Sequence, residues 1–319
     1  MSRILIVAPN WIGDALMAQP LLARLREKRP ELKVDVLAPE WVAPVARRMP
    51  EVDEVITTPF RHGALNLRRR WQLGRTLKER GYRQAIVLPN SWKAALVPFF
   101  ADIPLRSGYV GESRYGLLNL LYRRGDRAMR EHYARLAEAP GTEPAAPLPH
   151  ARLRVDRAQS SATRARFGLE PGYIALCPGA EYGPAKRWPY FAELAARFEK
   201  PVVLLGSQND VAAAEGVGGR NLVGRTTLDE AIDIIAGAEL VVSNDSGLMH
   251  VAAALGRPLV ALFGSSSPEK TPPTPGRTRV LWLKPECSPC YQRECPLGHF
   301  RCMRELDVDT VLAAAAELR

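Results

Sequence analysis

The sequence predicts an α/β protein made of two Rossmann-like, doubly wound domains in tandem. Three observations carry this reading. Short continuous apolar runs recur through the chain, the mark of strands buried on both faces of a parallel sheet. Helical patterns separate them, as parallel βαβ units require. A segment with four prolines, residues 138–149, interrupts the alternation, which then restarts.

In the first half the runs Arg3–Ala8, Lys33–Ala38, Val52–Thr57 and Gln84–Pro89 read as strands. A helix is expected over Asp14–Arg29, stopped by Pro30. In the second half the strands are Tyr173–Cys177, Pro201–Leu205, Glu239–Ser243 and Pro258–Phe263. Helices are expected over Pro189–Glu199, Val251–Leu255 and Asp307–Leu318. The domains are drawn as 1–150, which would bind the acceptor, and 151–319, which would bind a nucleotide sugar. The last helix is free to pack back on the first domain, and the expected architecture places a cleft between the two domains.

Length and composition agree. The chain has 319 residues, 46% of them hydrophobic and 24% charged, which suits two soluble domains of about 150 residues each. No apolar run approaches the roughly 20 residues that cross a bilayer, and the first segment reads as a strand rather than a signal peptide. A cytoplasmic protein, peripheral at the inner membrane, is the expectation. The formal charge of +10 favours anionic partners without choosing among nucleic acid, membrane and phosphorylated substrate.

Open α/β sheets bind ligands beyond the carboxyl ends of their strands. After the first strand comes Pro9-Asn10-Trp11-Ile12-Gly13-Asp14. Asp14 stands at a helix start, where capping and general-base roles both suit a carboxylate. The loop is not a dinucleotide fingerprint. In the second half a strand runs into Asn244-Asp245-Ser246-Gly247-Leu248-Met249-His250 and then a helix. Such a helix start offers N–H groups and a positive dipole end to a diphosphate, although capping by Asp245 or Ser246 and a packed core role for His250 explain it equally. The loop Gly179–Pro189 sets Lys186 beside Arg187 just before another helix. Arg61–Arg80 holds seven basic residues against one acid, Glu79, on a helical pattern. No nucleic-acid recognition motif accompanies it, and a phosphorylated membrane lipid or plain solvation competes. Cys287, Cys290, Cys295 and Cys302 follow C-x2-C-x4-C-x6-C spacing, which suggests a structural metal or iron–sulfur centre outside the strand-end loops.

Taken together, Pro9–Asp14, Leu88–Phe100, Arg114–Asn119, Cys177–Pro189 and Ser243–His250 resemble the ADP-heptose:lipopolysaccharide heptosyltransferases of glycosyltransferase family 9, the type II enzymes most of all. The resemblance runs over nearly the whole chain. It implies a GT-B fold and inverting transfer of L-glycero-D-manno-heptose from ADP-heptose to the first heptose of the lipopolysaccharide inner core, with no cofactor or catalytic metal. On this resemblance Asp14 is the base, Lys186 meets the donor phosphates and Asp245 lies near the donor heptose. Ser246, Gly247, Leu248 and His250 form the diphosphate loop, Thr226 and Leu228 hold the adenosine, and Glu181 joins the donor set. Asn10, Arg61, Asn90 and Lys93 are the acceptor-side candidates. The implied partners are ADP-heptose and the inner core at the cytoplasmic membrane face, without nucleic acid. Another family 9 heptosyltransferase, a sugar-nucleotide epimerase of the same architecture and a metal-containing binding protein organised by the four cysteines are the alternatives.

Overall fold

The computed structural model describes residues 2–60 and 64–318. The chain divides into two compact units, Met1–Ala151 and Arg152–Arg319.

In the first unit, strands β1 (Arg3–Val7), β2 (Lys33–Pro39), β3 (Glu54–Thr58), β4 (Gln84–Val87), β5 (Leu105–Tyr109) and β6 (Leu120–Tyr122) form a parallel sheet in the order β3-β2-β1-β4-β5-β6. Its helices are α1 (Ile12–Met17), α2 (Gln19–Lys28), α3 (Ala43–Arg47), α4 (Leu67–Lys78), α5 (Leu96–Phe100) and α6 (Met129–Ala134). The central strand is the one the apolar run Ile4-Leu5-Ile6 predicted, and all three residues are buried. Order reverses between β1 and β4, so the connections after those two strands leave in opposite directions and a crevice opens at their carboxyl ends.

In the second unit, β7 (Ile174–Cys177), β8 (Val202–Leu204), β9 (Arg220–Asn221), β10 (Leu240–Asn244), β11 (Leu259–Phe263) and β12 (Thr278–Trp282) form a second parallel sheet, ordered β12-β11-β10-β7-β8-β9. The helices are α7 (Arg157–Arg166), α8 (Phe191–Arg197), α9 (Leu228–Gly237), α10 (Gly247–Ala254), α11 (Arg301–Arg304) and α12 (Val308–Ala316). Here the reversal lies between β7 and β10. One face of the sheet, with Leu176, Val242 and Leu262, packs with Trp188, Phe191, Met303 and Val311. Helix α12 rests on β11, β12 and α8 of this same unit.

Three details depart from the sequence reading. The single helix expected from Asp14 to Arg29 is two, α1 and α2, broken at Ala18. Pro20 explains the break, because its ring excludes the N–H that a continuous helix needs and fits only a first turn. Strands β5, β6, β9 and β12 were not anticipated. They are short, polar or half-exposed, as in Leu105-Arg106-Ser107-Gly108-Tyr109. The proline-rich segment is not a loose tether, since Arg24 donates to the carbonyls of Ala145 and Pro147, both at 2.7 Å, and Tyr122 Oη donates to Glu138 O.

Helix α4 depends on a close approach. Arg70, Gly74 and Leu77 form its buried stripe, and a Cβ on Gly74 would stand 2.5 Å from Phe100 Cβ. Gly74→Ala should therefore destabilise the protein by about 1–3 kcal/mol through overpacking, despite a helix-propensity gain of roughly 1 kcal/mol. Urea denaturation checks this, and an unchanged or raised midpoint would contradict it.

Candidate active site

In the second unit the site is built where β7 and β10 part. Asn244 ends β10 fully buried. Its Nδ2 donates to Pro178 O at 2.7 Å and its Oδ1 accepts from Trp188 N at 3.1 Å. One side chain thus ties both ends of the loop after β7 to the end of β10. That places Lys186 against Asp245: the ammonium donates to Asp245 Oδ2 at 2.5 Å, and Ser266 Oγ, from the loop after β11, donates to the same oxygen. Asp245 is buried, so this is a shielded ion pair and not a surface one.

Ser246 is the N-cap of α10, its Oγ accepting from Met249 N at 3.5 Å, so Ser246 is the capping residue and Asp245 is not. Gly247 and Leu248 open the helix half-buried, and their N–H groups have no carbonyl partner within it. The eight-residue helix directs its positive dipole end at the same place as Lys186. His250 lies one turn inside and is 5% exposed. Burial pushes its pKa down to about 4, with Asp245 opposing and Lys186 reinforcing the shift. It is therefore neutral near pH 7 and adds no positive charge to an anion site.

The remaining donor-side candidates sit on neighbouring strand ends. Glu181 accepts from Asn209 Nδ2 at 3.2 Å on both oxygens. Thr226 and Leu228 flank Thr227, the N-cap of α9. Asp210 packs beneath the first loop, where only a glycine fits: a Cβ on Gly179 would fall 2.1 Å from Asp210 Cγ.

The cysteine-rich segment touches the strand-end loops, contrary to the expectation that it stands apart from them. Residues 283–300 have no helix or strand. Arg293 O accepts from Ala185 N at 3.0 Å, Tyr291 O from Tyr182 Oη at 2.6 Å, and Tyr291 N donates to Ser265 O at 2.7 Å. The segment therefore holds the Lys186 loop from behind. Cys287, Cys290, Cys295 and Cys302 line one small cavity together with Ser265, and none is in a disulfide. Among the described residues, no three or more His, Cys, Asp or Glu side chains are arranged to share a metal.

In the first unit a pocket occupies the crevice after β1 and β4. Asn10 and Lys93 line it, as do Arg70, Ser91, Trp92 and Glu112. Asn90 lies between the lining residues Pro89 and Ser91, and its buried Oδ1 has no hydrogen-bond partner among the described residues. Arg114, 2% exposed, fixes this loop by donating to Pro89 O and Tyr109 O, and burial pushes its pKa down to about 10. Arg70 joins the wall by donating to Leu65 O at 2.6 Å and Lys93 O at 3.1 Å, its guanidinium 4.2 Å from the Phe60 ring centroid. Glu112 Oε2 accepts from Trp92 N at 2.9 Å. Arg61 lies outside the described residues.

Asp14 is the third residue of α1, half-buried, and the N-cap is Trp11, whose side chain makes no capping bond. The capping explanation of Asp14 therefore fails. The carboxylate stands in the first helical turn, where the dipole favours it, and outside the pocket lining. Sequence reasoning missed Asn244 as the tie, Ser266 as the partner of Asp245, and Arg70, Trp92 and Glu112 in the pocket. The only advance signals were a polar residue closing an apolar strand and the run Ser265-Ser266-Ser267 after another.

Two parallel α/β sheets, each with its candidate site at the strand-order reversal, make a fold of GT-B type. The model of glycosyltransferase family 9 (heptosyltransferase) matches residues 70–301. Lipopolysaccharide heptosyltransferase 2 of Escherichia coli K12 is 46% identical over 306 residues, covering 88% of each chain. Lipooligosaccharide heptosyltransferase 2 of Haemophilus influenzae is 42% identical at the same coverage. The solved structure of E. coli ADP-heptose lps heptosyltransferase II superposes with a TM-score of 0.88 at 40% identity, covering 100% of this chain and 98% of that one. The chain belongs to glycosyltransferase family 9.

Two measurements probe this geometry. Asn244→Ala leaves Trp188 N and Pro178 O buried and unpaired, and should cost about 2 kcal/mol or more in denaturant unfolding. The second concerns pH. His250 and His132, 8% exposed, both have folded pKa values of about 4, His132 through burial and then Arg124, Arg127 and Arg135. Unfolding raises both toward about 6.5, so the unfolded state binds more protons below that pH. The contribution of these two histidines should be flat above pH 7 and should fall by about 2 kcal/mol per histidine between pH 7 and 5. A flat profile over that range would contradict the neutral, buried assignment.

Proposed function

We propose that this chain transfers L-glycero-D-manno-heptose from ADP-heptose to the first heptose of the lipopolysaccharide inner core, inverting the anomeric centre, at the cytoplasmic face of the membrane. One observation carries the donor half of this reading: the Lys186 ammonium, buried Asp245 and the start of α10 at Ser246 converge at a single strand-order reversal. A departing diphosphate needs positive charge that is already in place when the bond breaks. Lys186 and the N–H groups of Gly247 and Leu248 supply it without requiring a metal, and Asp245 is the acceptor for a sugar hydroxyl. Lys186 exchanges its carboxylate partner for the phosphates as the donor enters. Thr226 and Leu228, at the start of α9, take the adenosine, with Glu181 beside the donor loop. Neutral His250 supports the loop from within.

The acceptor half rests on the pocket after β1 and β4, with Asn10 and Lys93 in its wall and Asn90 behind it. Asp14 is the general base that removes the proton of the acceptor hydroxyl, so that the oxygen attacks the anomeric carbon from the face opposite the departing ADP. The family membership and the named relatives support the substrate pair. Heptosyltransferase 2 is the name of the E. coli relative that is 46% identical.

A transfer assay with ADP-heptose and defined inner-core acceptors carrying one heptose or none tests the reading. Product should form on the one-heptose acceptor, and exclusive use of the heptose-free acceptor would overturn the acceptor assignment. Asp14→Asn should lower kcat by about 10²–10⁴-fold and leave ADP-heptose affinity unchanged. Lys186→Ala should weaken donor binding by about 10–100-fold, the loss of one charge-assisted contact. Near-normal turnover in the first variant or unchanged affinity in the second removes the corresponding role.

A further inference from the structure

Helix α4 has two exposed apolar residues that nothing in the proposed reaction uses. Leu67 and Trp71 are 50% and 51% exposed. They stand four residues apart on the flank beside the buried stripe Arg70, Gly74 and Leu77. Cations border them on the same flank. Arg68 is exposed and has no ion-pair partner among the described residues. Arg75 and Lys78 share a single carboxylate, Asp102, at 3.4 and 2.6 Å, so that group retains net positive charge.

We infer that this flank of α4 is the surface by which the protein docks on an anionic lipid bilayer. Leu67 and Trp71 would enter the headgroup region, with Arg68, Arg75 and Lys78 over the lipid phosphates. The combination selects the partner. Tryptophan favours the interface between headgroups and acyl chains, and basic residues beside it are attracted to anionic lipid. The chain's net charge of +10 has the same sign. No helix among the described residues is long and apolar enough to cross a membrane, so contact through them would be made at the surface. The same helix also serves the pocket, since Arg70 reaches Lys93 O in its wall. A bilayer on the outer flank therefore lies one helix away from the proposed acceptor site. The inference rests on the proposed acceptor being carried by a lipid.

The test is co-sedimentation of the full chain with phosphatidylcholine vesicles and with mixed phosphatidylcholine–phosphatidylglycerol vesicles, alongside heptose transfer to two acceptors. One acceptor is embedded in vesicles and the other is the same core saccharide freed of its lipid. The protein should sediment with the anionic vesicles and hardly with the neutral ones, and added salt should weaken the binding. Arg68→Ala should lower vesicle affinity about fivefold, and Leu67→Ser with Trp71→Ser about tenfold or more. Both variants should transfer to the lipid-free acceptor at the original rate and lose activity on the embedded one. Equal binding to both vesicle types, no binding to either, or variants that bind as the original does would overturn the docking surface; a second copy or an acidic protein would then be the occupant of this face. No transfer to either acceptor by the unaltered protein would remove the functional reading, and vesicle binding alone would then decide the surface.

Discussion

The carboxamide of Asn244 is the small contact on which the second unit's site depends. Parallel β7 and β10 are neighbours, but their connections diverge, and nothing in the sheet itself fixes where a loop as long as Pro178–Trp188 comes to rest. Asn244 does so by accepting from one end of that loop and donating to the other, while itself fully buried. Because both partners are backbone groups, the bond fixes the path of the chain and is indifferent to the side chains along it. Only with that path fixed does Lys186 meet Asp245, and only with Ser266 on the same oxygen is the carboxylate held from a second direction.

The first unit uses buried guanidinium groups for the same purpose. Arg114 and Arg70 spend their N–H groups on carbonyls of Pro89, Tyr109, Leu65 and Lys93. A buried cation is tolerated when several carbonyl dipoles face it, and burial still pushes the pKa of both groups down, with Glu112 partly opposing the shift at Arg114. Pocket walls fixed this way hold their shape through backbone carbonyls, while the carboxylate of Glu112 in the same wall is engaged by Trp92 N.

How far the sequence could be read follows from how local each signal is. Strands buried on both faces were legible, because Ile4–Val7 and Leu259–Phe263 have no polar residue to interrupt them. Strands β5 and β9 were not, since Leu105-Arg106-Ser107-Gly108-Tyr109 and the pair Arg220-Asn221 become strands only by pairing with a neighbour already in place. The loops after β1, β7 and β10 were found from one topological rule about strand ends. Within them the partners were hidden. Lys186 and Asp245 are 59 residues apart, Arg70 and Lys93 are 23, and no periodicity records such distances. Asp14 illustrates the opposite error: a helix-start pattern suggested a cap, whereas the backbone begins the helix two residues earlier and leaves the carboxylate in the first turn.

The support of the Lys186 loop by the cysteine-rich segment has a consequence for biosynthesis. Ala185 bonds to Arg293, Tyr182 to Tyr291, and Trp188 Nε1 to Leu306 O at 2.8 Å. A chain emerging from the ribosome makes the first unit, with its pocket, long before residue 291 exists. The strands that flank Lys186 and the Asn244 tie are also complete by then, but the loop still lacks its bonds to Tyr291, Arg293 and Leu306. Ribosome-bound chains truncated before this point would hold a folded first unit and a second unit whose Lys186 loop lacks part of its support. The Lys186 loop thus gains its full set of supporting bonds only with the last thirty or so residues.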